Sequence, residues 1–261
     1  MEIDLNCDMG EGFGVYTLGR DEELLPYVTS INVACGFHAS DPLTMMRIVK
    51  RAREFSVALG AHPSYPDLAG FGRREISLSP EEIKASVIYQ VGALMGFCMI
   101  SGIRLSHVKP HGALYNRAAM DMEAARAIAE AVAEIDRSLF LICQAKSKMT
   151  VAAREAGIPF VEEFFADRAY RADGLLLPRS LPGAVIHDQK ALRERVVRLV
   201  RDKFVLSCEG IPVPLEAGTI CIHGDTPDAP ALAHAVRDAL EAEGIDVKPF
   251  SAGGPPIPGP H

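Results

Sequence analysis

Five short apolar runs in this chain of 261 residues each end on a cluster of carboxylates, histidines or a lysine. The clusters span 4–12 (DLNCDMGEG), 34–38 (ACGFH), 60–65 (GAHPSY), 107–112 (HVKPHG) and 221–225 (CIHGD). Strand ends that gather chemistry at one rim are the sequence form of an α/β barrel enzyme. The parity of the runs agrees, because successive side chains of a strand face opposite sides. Asp4, Asn6 and Asp8 share one face while Ile3, Leu5 and Cys7 take the other. His107, Lys109 and His111 align in the fourth run, and Cys221, His223 and Asp225 in the last. A buried parallel strand is ordinarily apolar on both faces. Three strands that break this rule near their carboxyl ends predict a polar pocket inside the barrel.

Candidate strands lie near 2–7, 30–35, 57–62, 106–110, 139–143, 159–164 and 219–223, with helical periodicity between most of them. Asp41-Pro42 opens a helix reaching about Glu54, and Ser79-Pro80-Glu81-Glu82 is a helix start with an N-cap serine and first-turn acids. Strand-helix alternation means a parallel sheet, and seven strong strands predict a distorted (β/α)7 TIM-like barrel rather than a regular eightfold one. The expected domain covers 1–250, with a short hairpin inserted near 204–217 that turns at Glu209-Gly210. The Pro/Gly-rich stretch 251–261 is expected to be disordered.

A formal net charge of −7 without a basic stripe argues against nucleic-acid binding, which needs clustered Lys and Arg. The acidic balance suits a soluble cytoplasmic protein, and the start MEIDLN enters a strand directly, so a secretory signal is not expected. The longest greasy stretch, Val91 to Ile103, is too short for a bilayer and reads as a buried helix. The six cysteines form no C-x-x-C pair and read mostly as reduced, buried thiols. Cys7, Cys35 and Cys221 abut polar clusters, but nucleophilic catalysis by a thiol is the weaker reading.

Asp4, Asn6 and Asp8, followed by Gly10-Glu11-Gly12-Phe13-Gly14, match no phosphate-loop pattern. Carboxylates on one strand face suit a hard cation or acid/base work, with Asp8 the leading candidate; a surface turn capped by Asp is the structural alternative. His38, His62 and His111 each follow a strand and can converge, and two imidazoles with a carboxylate make an open metal site. Lys109, on the inward face, can hold a substrate anion, stabilise a developing oxyanion, or neutralise the acids of the first strand. Arg168, in the loop after the sixth strand, suits bidentate carboxylate recognition. Arg73 and Arg74 are either anion binders or exposed charge.

The segments DLNCDMGEGFG (4–14), NVACGFHASDP (32–42), GAHPSYPDLAGFGRR (60–74), VKPHGALYN (108–116), FADRAY (165–170) and CIHGDTP (221–227) together resemble the LamB/YcsF family. Ser40 stands where glycine is usual in that family. The resemblance implies a deacetylase-like barrel and ATP-coupled hydrolysis of 5-oxo-L-proline to L-glutamate. It also implies ATP with Mg2+, and a complex with 5-oxoprolinase subunits B and C in which this chain is the A component. By matching strand ends it implies Asp8, His62 and His111 as ligands of a divalent metal. The resulting assignment makes Asp8, Lys109, His111 and Asp225 catalytic, and Asn6, His38, Arg168 and His223 substrate-binding. Homo-oligomerisation stays open. So do two other functions: a stand-alone metal-dependent deacetylase or amidohydrolase, and a noncatalytic ligand-binding subunit.

Overall fold

Seven of the apolar runs pair in parallel, and the last closes onto the first. In the computed structural model the strands are β1 (Glu2–Met9), β2 (Ser30–Ala34), β3 (Ala58–His62), β4 (Leu105–Val108), β5 (Phe140–Gln144) and β6 (Phe160–Phe165), followed by β7 (Phe204–Leu206), β8 (Pro212–Pro214) and β9 (Thr219–Ile222). The ring runs β1-β2-β3-β4-β5-β6-β9 and returns to β1, with Asp4 opposite Thr219. This is the expected (β/α)7 barrel. The structure describes residues 1–250 apart from 180, 187, 223 and 225–227.

The helices that wrap the ring are α1 (Asp21–Leu24), α2 (Pro42–Phe55), α3 (Pro80–Ser101), α4 (Gly112–Met120), α5 (Met122–Ile135), α6 (Lys148–Ala156), α7 (Gln189–Asp202) and α8 (Ala229–Ala242). Their starts follow local chemistry. The Asp41 carboxylate accepts from the Leu43 and Thr44 amides to open α2, and Ser79 and Glu82 form a reciprocal capping box on α3. β7 and β8 pair antiparallel between α7 and β9, and β10 (Asp246–Val247) adds to the outer end of β1.

α3 corrects one expectation. It runs 22 residues, longer than the stretch read from the sequence, and only one face is buried. Ile83, Val87, Val91, Leu94 and Cys98 pack into the core, while Tyr89, Met99 and Ile100 lie exposed. Length and composition would let such a helix cross a bilayer, so hydropathy without the buried stripe misreads which side of it packs.

The barrel interior is polar, as parity required. Asp4, Asn6, Asn32, His107 and Glu163 are all buried there. Asn6 Nδ2 donates to Glu163 Oε1 at 3.0 Å and to Thr219 Oγ1 at 2.7 Å. Asn32 Nδ2 donates to Asn6 Oδ1 and Asp8 Oδ1, both at 2.9 Å. His107, whose pKa burial pushes down to about 3, is neutral and donates Nε2–H to Asn32 Oδ1 at 2.8 Å. Gly60 makes room for that ring: a β-carbon there would sit 2.0 Å from His107 Nε2.

Thr29, Ser30 and Thr219 donate hydroxyls to Asp4, but burial outweighs them and raises its pKa from 3.8 to about 6. The folded state therefore binds this proton more tightly than the unfolded chain. Its contribution is fully present below the unfolded pKa and is lost as pH rises through about 6. A shift of this size corresponds to roughly 3 kcal/mol. Denaturant titrations should show the difference in stability between the native chain and Asp4→Asn changing by that order from about pH 4 to pH 7. A pH-independent difference would remove the assignment.

Candidate active site

A cavity of about 430 Å³ opens at the carboxyl ends of the strands. Lys109, just past β4, lies in its floor with its ammonium 3.0 Å from Asp8 Oδ1 and 2.8 Å from Glu163 Oε1. It also donates to Asn6 Oδ1 at 3.2 Å and approaches Cys221 Sγ at 3.1 Å. Burial opposes the lysine charge, but the neighbouring negative charges win and hold its pKa well above the usual range. Burial keeps the Cys221 thiol protonated, so the effective anions are Asp8 and Glu163. Tyr115 in α4 donates its hydroxyl to the second Glu163 oxygen at 2.9 Å and fixes that carboxylate.

Beside this charged group, His38, His62, His111 and Glu11 bring one ligand atom each within 4.8 Å of one another, all buried. The hydrogen bonds fix the tautomers. His62 Nδ1 lies 2.6 Å from the Lys109 carbonyl and His111 Nε2 lies 2.9 Å from the Phe71 carbonyl, so both nitrogens carry hydrogen. The opposite nitrogens, His62 Nε2 and His111 Nδ1, then face each other 3.0 Å apart. Asp8 Oδ2 stands 3.3 Å from the same His62 Nε2, and Glu11 Oε1 stands 3.8 Å from His111 Nδ1. His38 stacks on His111 with ring centres 3.9 Å apart, and among the described residues neither of its nitrogens has a hydrogen-bond partner. Burial, reinforced by the neighbouring imidazoles, pushes His38 and His111 well below the ordinary histidine pKa. Imidazole nitrogens and carboxylate oxygens converging at this spacing fit a divalent cation.

Local backbone geometry builds this cluster. In the 70–74 loop Phe71 takes a left-handed φ of +54° and turns its carbonyl toward His111. Gly72 at φ +63° packs where a β-carbon would meet Ser64 Oγ at 2.3 Å and both His111 and His38 at 2.9 Å. Ser40, two residues after His38, adopts φ +75°, and its buried hydroxyl has no partner. That conformation explains why glycine suits the position.

Comparison with known proteins follows the same residues. The sequence model of the LamB/YcsF family matches residues 3–254. This chain belongs to the LamB/YcsF family. It is 53% identical over 248 residues to a protein of Chloroflexus aggregans named as the A subunit of 5-oxoprolinase, covering 95% of this chain and 98% of that one. A Pyrococcus abyssi protein of the same name is 49% identical, over 96% of this chain and 98% of its own length. The crystal structure of a lactam utilization protein from Thermus thermophilus superposes with a TM-score of 0.91 at 47% identity, covering 96% of this chain and all of that one.

The structure brings together the three residues expected as metal ligands. Asp8 and His111 both approach His62 Nε2, within 3.3 Å and 3.0 Å. It adds Glu11 and His38, the latter expected as a substrate contact. Asn6 lies under Lys109 inside the barrel interior, so it meets the cavity only through that lysine. Arg168 lines the cavity. His223 and Asp225 fall outside the described residues. Sequence reading gave Glu11, Tyr115 and Gln144 no role of their own, and it set Glu162 and Glu163 in an acid/base loop after the sixth strand, whereas both lie within β6 with Glu163 fully buried. Glu163 was accessible by parity, because it shares a strand face with Phe165 and Val161, opposite Glu162.

Removing the Lys109 charge leaves two buried carboxylates without their cation. Lys109→Met should therefore cost on the order of 3–5 kcal/mol of stability as well as turnover. Adding Glu163→Gln should recover part of the loss in a denaturant titration, and a double variant no more stable than the single one would refute the pairing. Ser40→Gly relieves a left-handed residue and an unpartnered hydroxyl, so it should raise stability by about 1 kcal/mol. A lowered melting temperature would contradict that account.

Proposed function

We propose that this chain opens the lactam ring of 5-oxo-L-proline to give L-glutamate, as the A component of an ATP-dependent 5-oxoprolinase acting with subunits B and C. The observation that carries the reading is the convergence of acceptor atoms from Asp8, Glu11, His38, His62 and His111 beside the Lys109 ammonium, in a cavity of small-molecule size. The names carried by relatives about half identical over the whole length of this chain support the choice of a cyclic amide.

A five-membered lactam is a stabilised amide with a poor leaving group. Transfer of the ATP γ-phosphoryl to the lactam oxygen, with release of ADP, makes the ring carbon attackable by water; breaking the ring C–N bond then frees the amine and leaves an acyl phosphate, whose hydrolysis gives glutamate and phosphate and the coupling its chemical reason. His38, His62, His111 and Glu11 would hold a divalent cation, which when bound lowers the pKa of a water and supplies a nucleophile near neutrality. Asp8, with Oδ1 engaged by Lys109 and Asn32, presents Oδ2 toward His62 and is placed to take a proton from the attacking water. Lys109 faces the negative charge that develops on the opened carbonyl. Glu163, Tyr115 and Asn6 keep the lysine in that position.

Two measurements test this reading. The purified chain, given 5-oxo-L-proline, Mg2+ and ATP, should release little glutamate or phosphate until subunits B and C are added. Full turnover by the chain alone would refute the dependence on partners, and turnover without ATP would favour a deacetylase-type amidohydrolase. Separately, metal analysis after equilibration with Zn2+ or Mn2+ should find about one ion per chain, and His38→Ala or Glu11→Gln should weaken it at least about tenfold. Unchanged metal content in both variants would remove the cation from the mechanism.

A further inference from the structure

Two donors in the same cavity are left over by this mechanism. Gln144 ends β5 and lines the cavity, yet its buried side-chain nitrogen has no hydrogen-bond partner among the described residues. A buried amide nitrogen without an acceptor is uncommon in a folded protein, because it forfeits its hydrogen bonds to water. Arg168 follows β6 and is only 6% exposed. Its Nε donates to the Ala184 carbonyl at 3.3 Å and its Nη2 to the Leu177 carbonyl at 2.6 Å, both neutral acceptors. Among the described residues no carboxylate oxygen comes within 4.0 Å of this guanidinium, although it lines the cavity. Burial, reinforced by the charges of Arg179 and Arg73, lowers its pKa to about 10, so it stays cationic at neutral pH.

A buried cation held by neutral carbonyls, and a buried amide with no acceptor, are complementary to one kind of ligand group: a small anion with two oxygens. We propose that Gln144 and Arg168 form a carboxylate subsite that selects α-carboxylated lactams over neutral ones. The inference rests on the lactam-opening reading and extends it, since 5-oxo-L-proline carries a carboxylate on the ring carbon next to its nitrogen. Arg168 also ties Leu177 and Ala184 to the barrel rim through its two carbonyl contacts. The same side chain would thus bind the substrate anion and hold one wall of the cavity.

Gln144→Glu tests the subsite without changing side-chain volume, because it replaces an amide donor with a carboxylate that repels the ligand anion. Calorimetric titration of the full-length chain would compare 5-oxo-L-proline, 2-pyrrolidinone and inorganic phosphate. The native chain is expected to bind 5-oxo-L-proline at least about tenfold more tightly than 2-pyrrolidinone, the same lactam without the carboxylate. Gln144→Glu should erase that preference and leave 2-pyrrolidinone within about threefold of its native affinity, while Arg168→Lys keeps the cation, loses the fork and gives a smaller loss. In the assembled enzyme Gln144→Glu should raise KM for 5-oxo-L-proline more than it lowers kcat. Equal native affinity for the two lactams, or equal losses of both in Gln144→Glu, would overturn the subsite alone. Phosphate binding that is tighter than 5-oxo-L-proline binding and is lost in Gln144→Glu would reassign it to a phosphoryl group. Binding of neither lactam would overturn the lactam reading and the subsite with it.

Discussion

The ammonium of Lys109 is the charge around which the barrel interior is organised. An unpaired lysine at this depth would shed its proton or unfold the chain, since moving an ion out of water costs several kcal/mol even after relaxation. Here Asp8 and Glu163 flank it, Asn6 accepts from it, and Tyr115 and Asn32 hold the flanking carboxylates in place. These partners come from several different strands and a helix, so the ion group specifies how those elements meet. Most barrels fill this space with layers of branched aliphatic side chains. This one fills it with amides, hydroxyls and imidazoles whose hydrogen bonds must all be made together.

That interior explains why the histidine cluster sits where it does. Lys109 satisfies the acids on one side of Asp8, and the backbone carbonyls of Lys109 and Phe71 fix which nitrogens of His62 and His111 are left bare. The cluster therefore gathers imidazole and carboxylate atoms beside the charge of Lys109. A water placed between the two would meet a proton acceptor on one side and an anion stabiliser on the other, which is the polarity that amide hydrolysis demands.

Much of this was legible in the sequence because strands alternate. The two-residue period placed Asp4, Asn6 and Asp8 inside, aligned His107 with Lys109 and His111, and counted seven strands. The period carries no information past a strand end, and there the reading stopped. Glu11 lies in an irregular loop beyond β1 and joins the histidines only through the tertiary path of that loop. Glu162 and Glu163 are identical letters in sequence. The structure separates them: one caps the Lys146 amide at the rim and the other is sealed inside with Lys109. Gln144 gave no signal because a polar residue at a strand end is ordinary until its nitrogen is seen to lack a partner. The outer face of α3 was misjudged because hydropathy sums a helix and ignores which side packs.

The closing seam between β1 and β9 joins residues at opposite ends of the chain, Asp4 against Thr219. A ribosome delivers the first strand long before its partner exists. At about 5–20 residues per second the interval is roughly 10–40 s. Throughout that time Asp4, Asn6 and Asp8 lack the β9 neighbour that closes the ring, and Lys109 is made midway. The pocket is thus assembled from its oldest and newest residues at once, and a nascent chain halted before β9 emerges would present an unclosed, acid-lined edge for other strands or chaperones to meet.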